Sequence, residues 1–291
     1  MNVNSPEITS KVVSLLREGI GKHFSFVIVD NGSSQENFRV AQMKIAHPNS
    51  EVLRLERRVS IGAAFNTGIS RVIGDCDSVL LIHNDVFVDS ADVFGMSERL
   101  ASSPRVGMVS PLVMYLNEPN RIWFAGSKRN FWRGDNTPNP GTGQQDNGQL
   151  TDAYPVQCLS LACMMVKSEV FQRVGLLDTN LSGNEEDDLS LRSLTAGFIN
   201  LVDPRFRAYH LVGNTSRARG SVNEELLVSS AKAYFYFVRK HASNAQLVSS
   251  IMWRTLTFPR VLRQFYSSSS LATVRGILQG GSSFLTSVLR R

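Results

Sequence analysis

The stretch Phe24-Ser25-Phe26-Val27-Ile28-Val29-Asp30-Asn31-Gly32-Ser33-Ser34 decides the fold class of this 291-residue chain. Residues 24–30 form an apolar, β-prone run, and the polar residues after it signal a tight turn. The run reads as a buried strand that delivers Asp30 to its carboxyl end. Upstream, Ile8, Val12, Val13, Leu15 and Leu16 have helical spacing over residues 5–18, with Ser5-Pro6 as N-cap and first-turn proline. Downstream, residues 51–55 read as a strand, and Ile61 to Ile73 as a helix opened by a small-residue turn. Ser78 to Ile82 is a third buried strand, ending at His83-Asn84-Asp85. Strand and helix alternate. This predicts an α/β domain with a mixed, mainly parallel central sheet and helices on both faces.

Further along, Val106 to Leu116 and Ile122 to Ala125 read as strands. Lys128 to Asp152 is rich in Gly, Asn, Pro, Gln and Asp and reads as a long functional loop. An apolar stretch follows at Val156 to Val166, then a short helix at 168–174. Glu185-Glu186-Asp187-Asp188 precedes a helix to Ala196, and strands are expected near 198–203 and 206–210. The remainder is mainly helical and basic. No internal repeat is evident.

The composition, 42% hydrophobic and 19% charged, is that of a globular protein. Lys and Arg number 31 against 25 Asp and Glu, giving +6 and a pI near 9.4. That balance suits an anionic partner without choosing one. No nucleic-acid-binding module accompanies the charge, so nucleic acid is not expected. Cys76, Cys158 and Cys163 are odd in number and lack CxxC spacing, which argues against a disulfide framework or a zinc site. They are expected as buried, reduced thiols in a cytoplasmic protein. No apolar run reaches the ~18 residues of a membrane span. The first twenty residues, with Pro6, Glu7, Lys11 and Arg17, do not read as a signal peptide.

Asp30 and Asp85 both end apolar strands. Ligands of open parallel sheets sit outside the carboxyl ends of the strands. Each Asp reads either as a metal or nucleotide contact or as a cap of the next element. The acidic cluster downstream favours function for the pair.

These segments together resemble family 2 glycosyltransferases of the GT-A fold, with a rhamnosyltransferase-like flavour. Val27-Ile28-Val29-Asp30-Asn31-Gly32-Ser33-Ser34 resembles their nucleotide-binding turn, and Ile61-Gly62-Ala63-Ala64-Phe65-Asn66-Thr67-Gly68-Ile69 their glycine-rich helix start. Leu80-Leu81-Ile82-His83-Asn84-Asp85 resembles the strand ending in their metal-binding DxD or NxD motif. Ala162 to Val166 with Val170 to Gly175 resembles their acceptor-side strand and helix. Glu185 to Arg192 resembles the segment that carries the catalytic base. Each motif alone is weak; their shared order over residues 5–240 is specific.

The resemblance implies a nucleotide-sugar donor, a glycan or lipid-linked acceptor, and Mg²⁺ or Mn²⁺ between Asp85 and the donor diphosphate. Asp30, Asn31, Gly32, Ser33, Asn66, Asn84 and Arg217 are the implied donor contacts. Glu186 falls at the base position, with Glu185 and Asp187 beside it as register alternatives. His83 departs from the pattern: it ligates Mn²⁺ or points into the core. His210 ends its strand where the family often has a His close to the diphosphate or metal, so it joins His83 and Asp85 as a candidate metal residue. Arg217 and Arg219 read as phosphate partners or as ordinary surface charges. Trp123, Phe124, Phe131 and Trp132 flank the long loop and read as acceptor-stacking rings or as core.

Residues 1–243 read as the glycosyltransferase domain and 244–291 as a basic, amphipathic, helical extension. The extension mixes Trp253, Phe258, Phe265 and Tyr266 with Arg and has no Asp or Glu. It suits an anionic membrane surface, placing the protein at the inner face of the plasma membrane; the other reading is a basic face packed on the chain's own acidic side. Asn4-Ser5-Pro6-Glu7 resembles the end of the family's first strand with the strand itself missing, so the domain is expected to be incomplete there, through a late recorded start or a truncated gene.

Three functions compete on sequence grounds. One is an inverting glycosyltransferase of bacterial surface polysaccharide synthesis. The second is a sugar nucleotidyltransferase, whose glycine-rich basic loop after the first strand is not seen. The third is a decayed, non-catalytic carbohydrate- or membrane-associated module.

Overall fold

The computed structural model describes residues 1–20, 24–181, 183–212 and 224–264. Arg217, Arg219 and the extension beyond residue 264 lie outside them.

Helix α1 (Pro6–Ile20) leads to β1 (Phe26–Asn31), α2 (Gln35–Ile45), β2 (Ser50–Leu55), α3 (Ile61–Val72) and β3 (Ser78–Ile82). The alternation read from the sequence is therefore present. Ser34 and Ser60 open α2 and α3 by accepting from the N–H groups of Asn37 and Ala63, which satisfies first-turn donors. Next come β4 (Val86–Val88), α4 (Ser90–Ala101), β5 (Val106–Tyr115), β6 (Glu118–Phe124), β7 (Ser127–Asn130) and β8 (Asp135–Pro138). The order continues with β9 (Tyr154–Val156), β10 (Cys163–Lys167), α5 (Ser168–Val174), α6 (Glu185–Thr195), β11 (Ile199–His210), α7 (Glu224–His241) and α8 (Asn244–Gln264).

β1 and β2 form a parallel pair, Phe26 opposite Ser50 through Asn31 opposite Leu55. The larger sheet has the order β3-β10-β5-β11-β4. In it β3, β5 and β11 point one way, and β10 and β4 run against them. Period-2 alternation sorts the side chains onto two faces. Met108, Leu112 and Met114 of β5 join Phe65 and Ile69 of α3, Phe171 of α5 and Leu189 of α6. Val109 and Val113 join Val12 and Leu16 of α1 and Met96 and Leu100 of α4. The sheet is thus covered by helices on both faces.

Two expectations need correction. The stretch 128–152 is not a continuous loop: it contains most of the hairpin β7–β8, paired from Ser127 opposite Pro138 to Asn130 opposite Asp135. Its residues are largely exposed, so no apolar alternation marks it. The two strands expected at 198–210 are one strand, β11, bent by a register shift between Asp203 and Arg207.

At the amino end, Asn2 forms an isolated parallel bridge with Asp30. Its N–H donates to Val29 O and its carbonyl accepts from Asn31 N–H, both at 2.8 Å. Cys158 and Cys163 are buried free thiols, and Cys76 is a half-buried one. Among the described residues no helix is long and apolar enough to cross a membrane.

Candidate active site

The short strand β4 assembles the first half of the site. It begins one residue after Asp85 and pairs with the end of β11, Val86 opposite His210. That pairing brings His210 beside Asp85, Nε2 to carboxylate oxygen 3.5 Å. Leu211 N–H donates to Asp85 O at 2.9 Å and fixes the turn. His83, Asp85 and His210 each offer one ligand atom, all within 4.8 Å of one another. His83 Nε2 and His210 Nδ1 are buried with no hydrogen-bond partner. Leaving a buried polar atom unpaired is costly. Two imidazoles beside a carboxylate, each with a buried nitrogen left unpartnered, fit a divalent metal, and nitrogen donors suit Mn²⁺ better than Mg²⁺.

Electrostatics prepares the same group. Burial pushes His83 down to about 4, against Asp85 and aided by the Met1 amino group and His210. The ring is therefore neutral at pH 7, the ligating form. Burial pushes the Asp85 carboxyl up, but the His210 hydrogen bond and the two imidazoles outweigh it and hold the group below its usual range. Two aromatic rings brace the imidazoles. Phe65 stacks on His83, centroids 5.9 Å apart, and Trp123 stands edge-on to His210 at 4.4 Å.

The four carboxylates at the start of α6 separate into different roles. Asp188 is fully buried and binds Arg192 (2.8 Å), Lys240 (2.7 Å) and His241 (2.7 Å). Asp187 is ion-paired with Arg129. Glu185 accepts from Gly183 N–H at 2.6 Å, while its other oxygen is buried and unpartnered. Glu186 alone of the four has no hydrogen bond or ion pair to another described residue; its carboxylate accepts only from its own backbone N–H. Burial and the Asp187 charge push it up to about 8. A half-buried, unpaired carboxylate with that affinity for protons suits a general base. Helix α3 links the two halves. Phe65 stacks on His83, and one turn earlier a Cβ at Gly62 would come within 3.2 Å of Glu185 Cγ.

The model of the Glycosyl transferase family 2 matches residues 2–175, more than half of the chain. The chain belongs to this family. The match contains His83 and Asp85; the 185–188 carboxylates and His210 lie beyond it. Solved glycosyltransferase structures share the fold. S. aureus TarS 1-349 in complex with UDP-GlcNAc has a TM-score of 0.61 at 11% identity, covering 96% of this chain and 79% of its own. The mannosyltransferase PcManGT from Pyrobaculum calidifontis, in complex with GDP-Man and Mn²⁺, has 0.57 at 12%, covering 98% and 85%. GalNAc-T7 with UDP, GalNAc and Mn²⁺ has 0.57 at 19%, covering 74% of this chain; the chain spans 41% of that protein's length. A search of curated proteins finds no match.

In this family 2 chain the turn after β1 is a self-supporting knot. Asp30 is fully buried and accepts from Asn2 Nδ2 (2.7 Å) and from Ser33 Oγ (2.6 Å) and N–H (3.1 Å). Asn31 exchanges two hydrogen bonds with Val59, at 2.8 and 3.1 Å. Gly32 has φ +72°, and a Cβ there would collide with the backbone of Arg57 and Arg58, so only glycine fits. Asn66 exchanges two hydrogen bonds with the Leu177 backbone, at 2.8 and 3.0 Å. Asn84 turns toward α1 and donates to Thr9 Oγ1 at 3.1 Å. Neither amide joins the metal-ligating group. Of the loop aromatics, Phe131 packs against Phe237 and His241, while Trp132 is 56% exposed.

Several contacts had no signal in the sequence. Arg129 lies in a polar run yet anchors α6 through Asp187. Lys240 and His241, read as part of a basic stretch, neutralise Asp188 instead. On α8, Leu247 is buried with Phe237, and Arg133 lies over the Trp253 ring at 4.9 Å. The described start of the extension therefore packs on the domain.

Proposed function

We propose that the chain is an inverting, metal-dependent glycosyltransferase. It moves a hexosyl or rhamnosyl unit from a UDP- or dTDP-sugar to a hydroxyl of a glycan or lipid-linked acceptor in bacterial surface polysaccharide synthesis. The observation that carries this reading is the His83–Asp85–His210 group with its two orphaned nitrogens. Those three residues would hold Mn²⁺ or Mg²⁺, which would supply positive charge against the charge that develops on the departing diphosphate. The turn Asp30-Asn31-Gly32-Ser33 shapes the nucleoside side of the site, with Asp30 bracing it from within. Asn66 and Asn84 fix the walls, and Arg217 serves the phosphates. Glu186 takes the proton of the acceptor hydroxyl, while Asp187 and Glu185 hold it in place. Exposed Trp132 offers a stacking face to the acceptor sugar.

A peripheral position on the inner face of the membrane completes the reading. Val248, Met252 and Leu256 recur every fourth residue on α8 and are 57%, 59% and 73% exposed. An exposed apolar stripe beside Arg-rich sequence suits an anionic bilayer that carries the acceptor. Transfer and hydrolysis assays with UDP-, dTDP- and GDP-sugars plus Mn²⁺ test the function. Turnover of at least one donor supports it. Inertness toward all of them, with no nucleotide-dependent thermal shift, favours a non-catalytic module.

A further inference from the structure

The first turn of α6 carries Glu186, yet its N-cap residue does not cap it: the Asn184 side chain makes no capping bond. Asn184 Oδ1 accepts instead from Arg129 Nη2. The same guanidinium donates from Nε to Asp187 Oδ2 at 2.5 Å and is ion-paired with that carboxylate through Nη2. One planar fork thus spans Asn184 and Asp187, the two residues that flank Glu185 and Glu186. A guanidinium fixes its bonds in direction, which a lysine ammonium does not.

Arg129 is itself held. It lies on β7, where Ser127 exchanges two backbone hydrogen bonds with Cys158, at 3.0 and 3.2 Å. Arg129 N–H donates to Gln157 Oε1 at 2.6 Å, and its guanidinium carbon lies 4.8 Å from the centre of the Phe237 ring on α7. The side chains of Arg129 and Asp187 are only 10% and 7% exposed, so solvent ions screen the pair little. The charges that face Glu186 are Asp187 and Glu185 on its own helix and Arg129 from β7. Asp187 is faced by Arg129, by the Cys158 thiol and by His241 of α7; the thiol also faces Glu186. Two neighbouring buried carboxylates resist carrying two charges at once. Arg129 supplies positive charge to both.

We propose that Arg129 is the positioning residue of the base. Its fork clamps the first turn of α6 on both flanks of Glu186, and its charge offsets that of Asp187, so that Glu186 is aimed and free to ionise. This rests on the reading of Glu186 as the base.

The test follows the carboxyl groups by carbon-13 NMR titration of Asp- and Glu-labelled protein, with Glu186→Gln to identify the Glu186 signal. Values of kcat and donor KM are measured beside it. In Arg129→Met the last proton is expected to leave the Glu186–Asp187 pair at higher pH than in the parent, because the doubly charged state has lost its cation. Arg129→Lys keeps the charge and is expected to restore the parental titration. Its kcat should stay about tenfold down at unchanged donor KM, since an ammonium cannot span both partners. In Asp187→Asn, Glu186 is expected to titrate lower. The last two variants decide the matter if Arg129→Met does not fold. A parental titration in Arg129→Met, full kcat in Arg129→Lys, or an unmoved Glu186 in Asp187→Asn overturns the proposal, even where Tm falls. Glu186→Gln at full rate sinks the reading of Glu186 itself. Loss of rate in Glu186→Gln beside parental behaviour of the Arg129 variants sinks the role of Arg129 alone.

Discussion

Trp123 stands edge-on to His210, ring planes at 87° and centroids 4.4 Å apart. This contact fixes the ring of a residue that must aim a nitrogen at the metal. Groups that orient a ligand typically contribute 10–100-fold to metal affinity. Trp123→Ala is expected to weaken Mn²⁺ binding about tenfold while circular dichroism shows the fold retained. Unchanged Mn²⁺ affinity would mean that the indole merely fills space.

His83 sets the metal preference. A nitrogen donor favours Mn²⁺, and a hard oxygen donor favours Mg²⁺. His83→Asp is expected to raise Mg²⁺-supported turnover relative to Mn²⁺. If the ratio of the two rates stays at its original value, His83 does not contact the metal.

Glu186 is pushed up to about 8 by burial and the Asp187 charge. Its basic form is the carboxylate, so kcat/KM should rise with pH through about 8 and then level. Glu186→Gln is expected to lower kcat by roughly 10²–10⁴ and to remove that limb of the profile. A variant that loses rate but keeps the limb would assign the base to another group, with Glu185 next in line.

Asp188 contributes to stability rather than to chemistry. Burial pushes its carboxyl up, but His241, Lys240 and Arg192 outweigh it and hold it at about 2, against roughly 3.9 when unfolded. The contribution is fully present above the unfolded value and is lost as pH falls through the folded one. Asp188→Asn is expected to lose about 3 kcal/mol at pH 7, the cost of breaking a buried pair. The gap to the parent should close as pH falls toward 2. Denaturant titrations at pH 7 and pH 3 check this, and a gap that does not change with pH contradicts it.

What the sequence made legible was local. Strands β1 and β3 are buried or half-buried at every residue, so continuous apolarity marked them. The tight turn at Gly32 followed from a residue with one good conformational use. Helices α2 and α4 escaped the pattern reading. α2 buries only Phe38, Ala41 and Ile45 in an otherwise polar segment, and α4 only Val93, Met96 and Leu100. The hairpin β7–β8 carried no apolar alternation. Long-range facts were least visible. His210 meets Asp85 only because β4, three residues long, pairs with the end of β11. The four carboxylates at 185–188 look alike in sequence; Arg129, Lys240 and His241, brought in from other elements, tell them apart.

The central claim is that His83, Asp85 and His210 form a metal–diphosphate site. It is tested most directly by calorimetric titration of Mn²⁺ with UDP or dTDP into the parent chain and into Asp85→Asn. The predicted result is nucleotide binding that requires Mn²⁺ in the parent and falls at least about 100-fold in the variant, the scale of losing one buried charge-assisted contact. Equal, metal-independent binding to both proteins would contradict it.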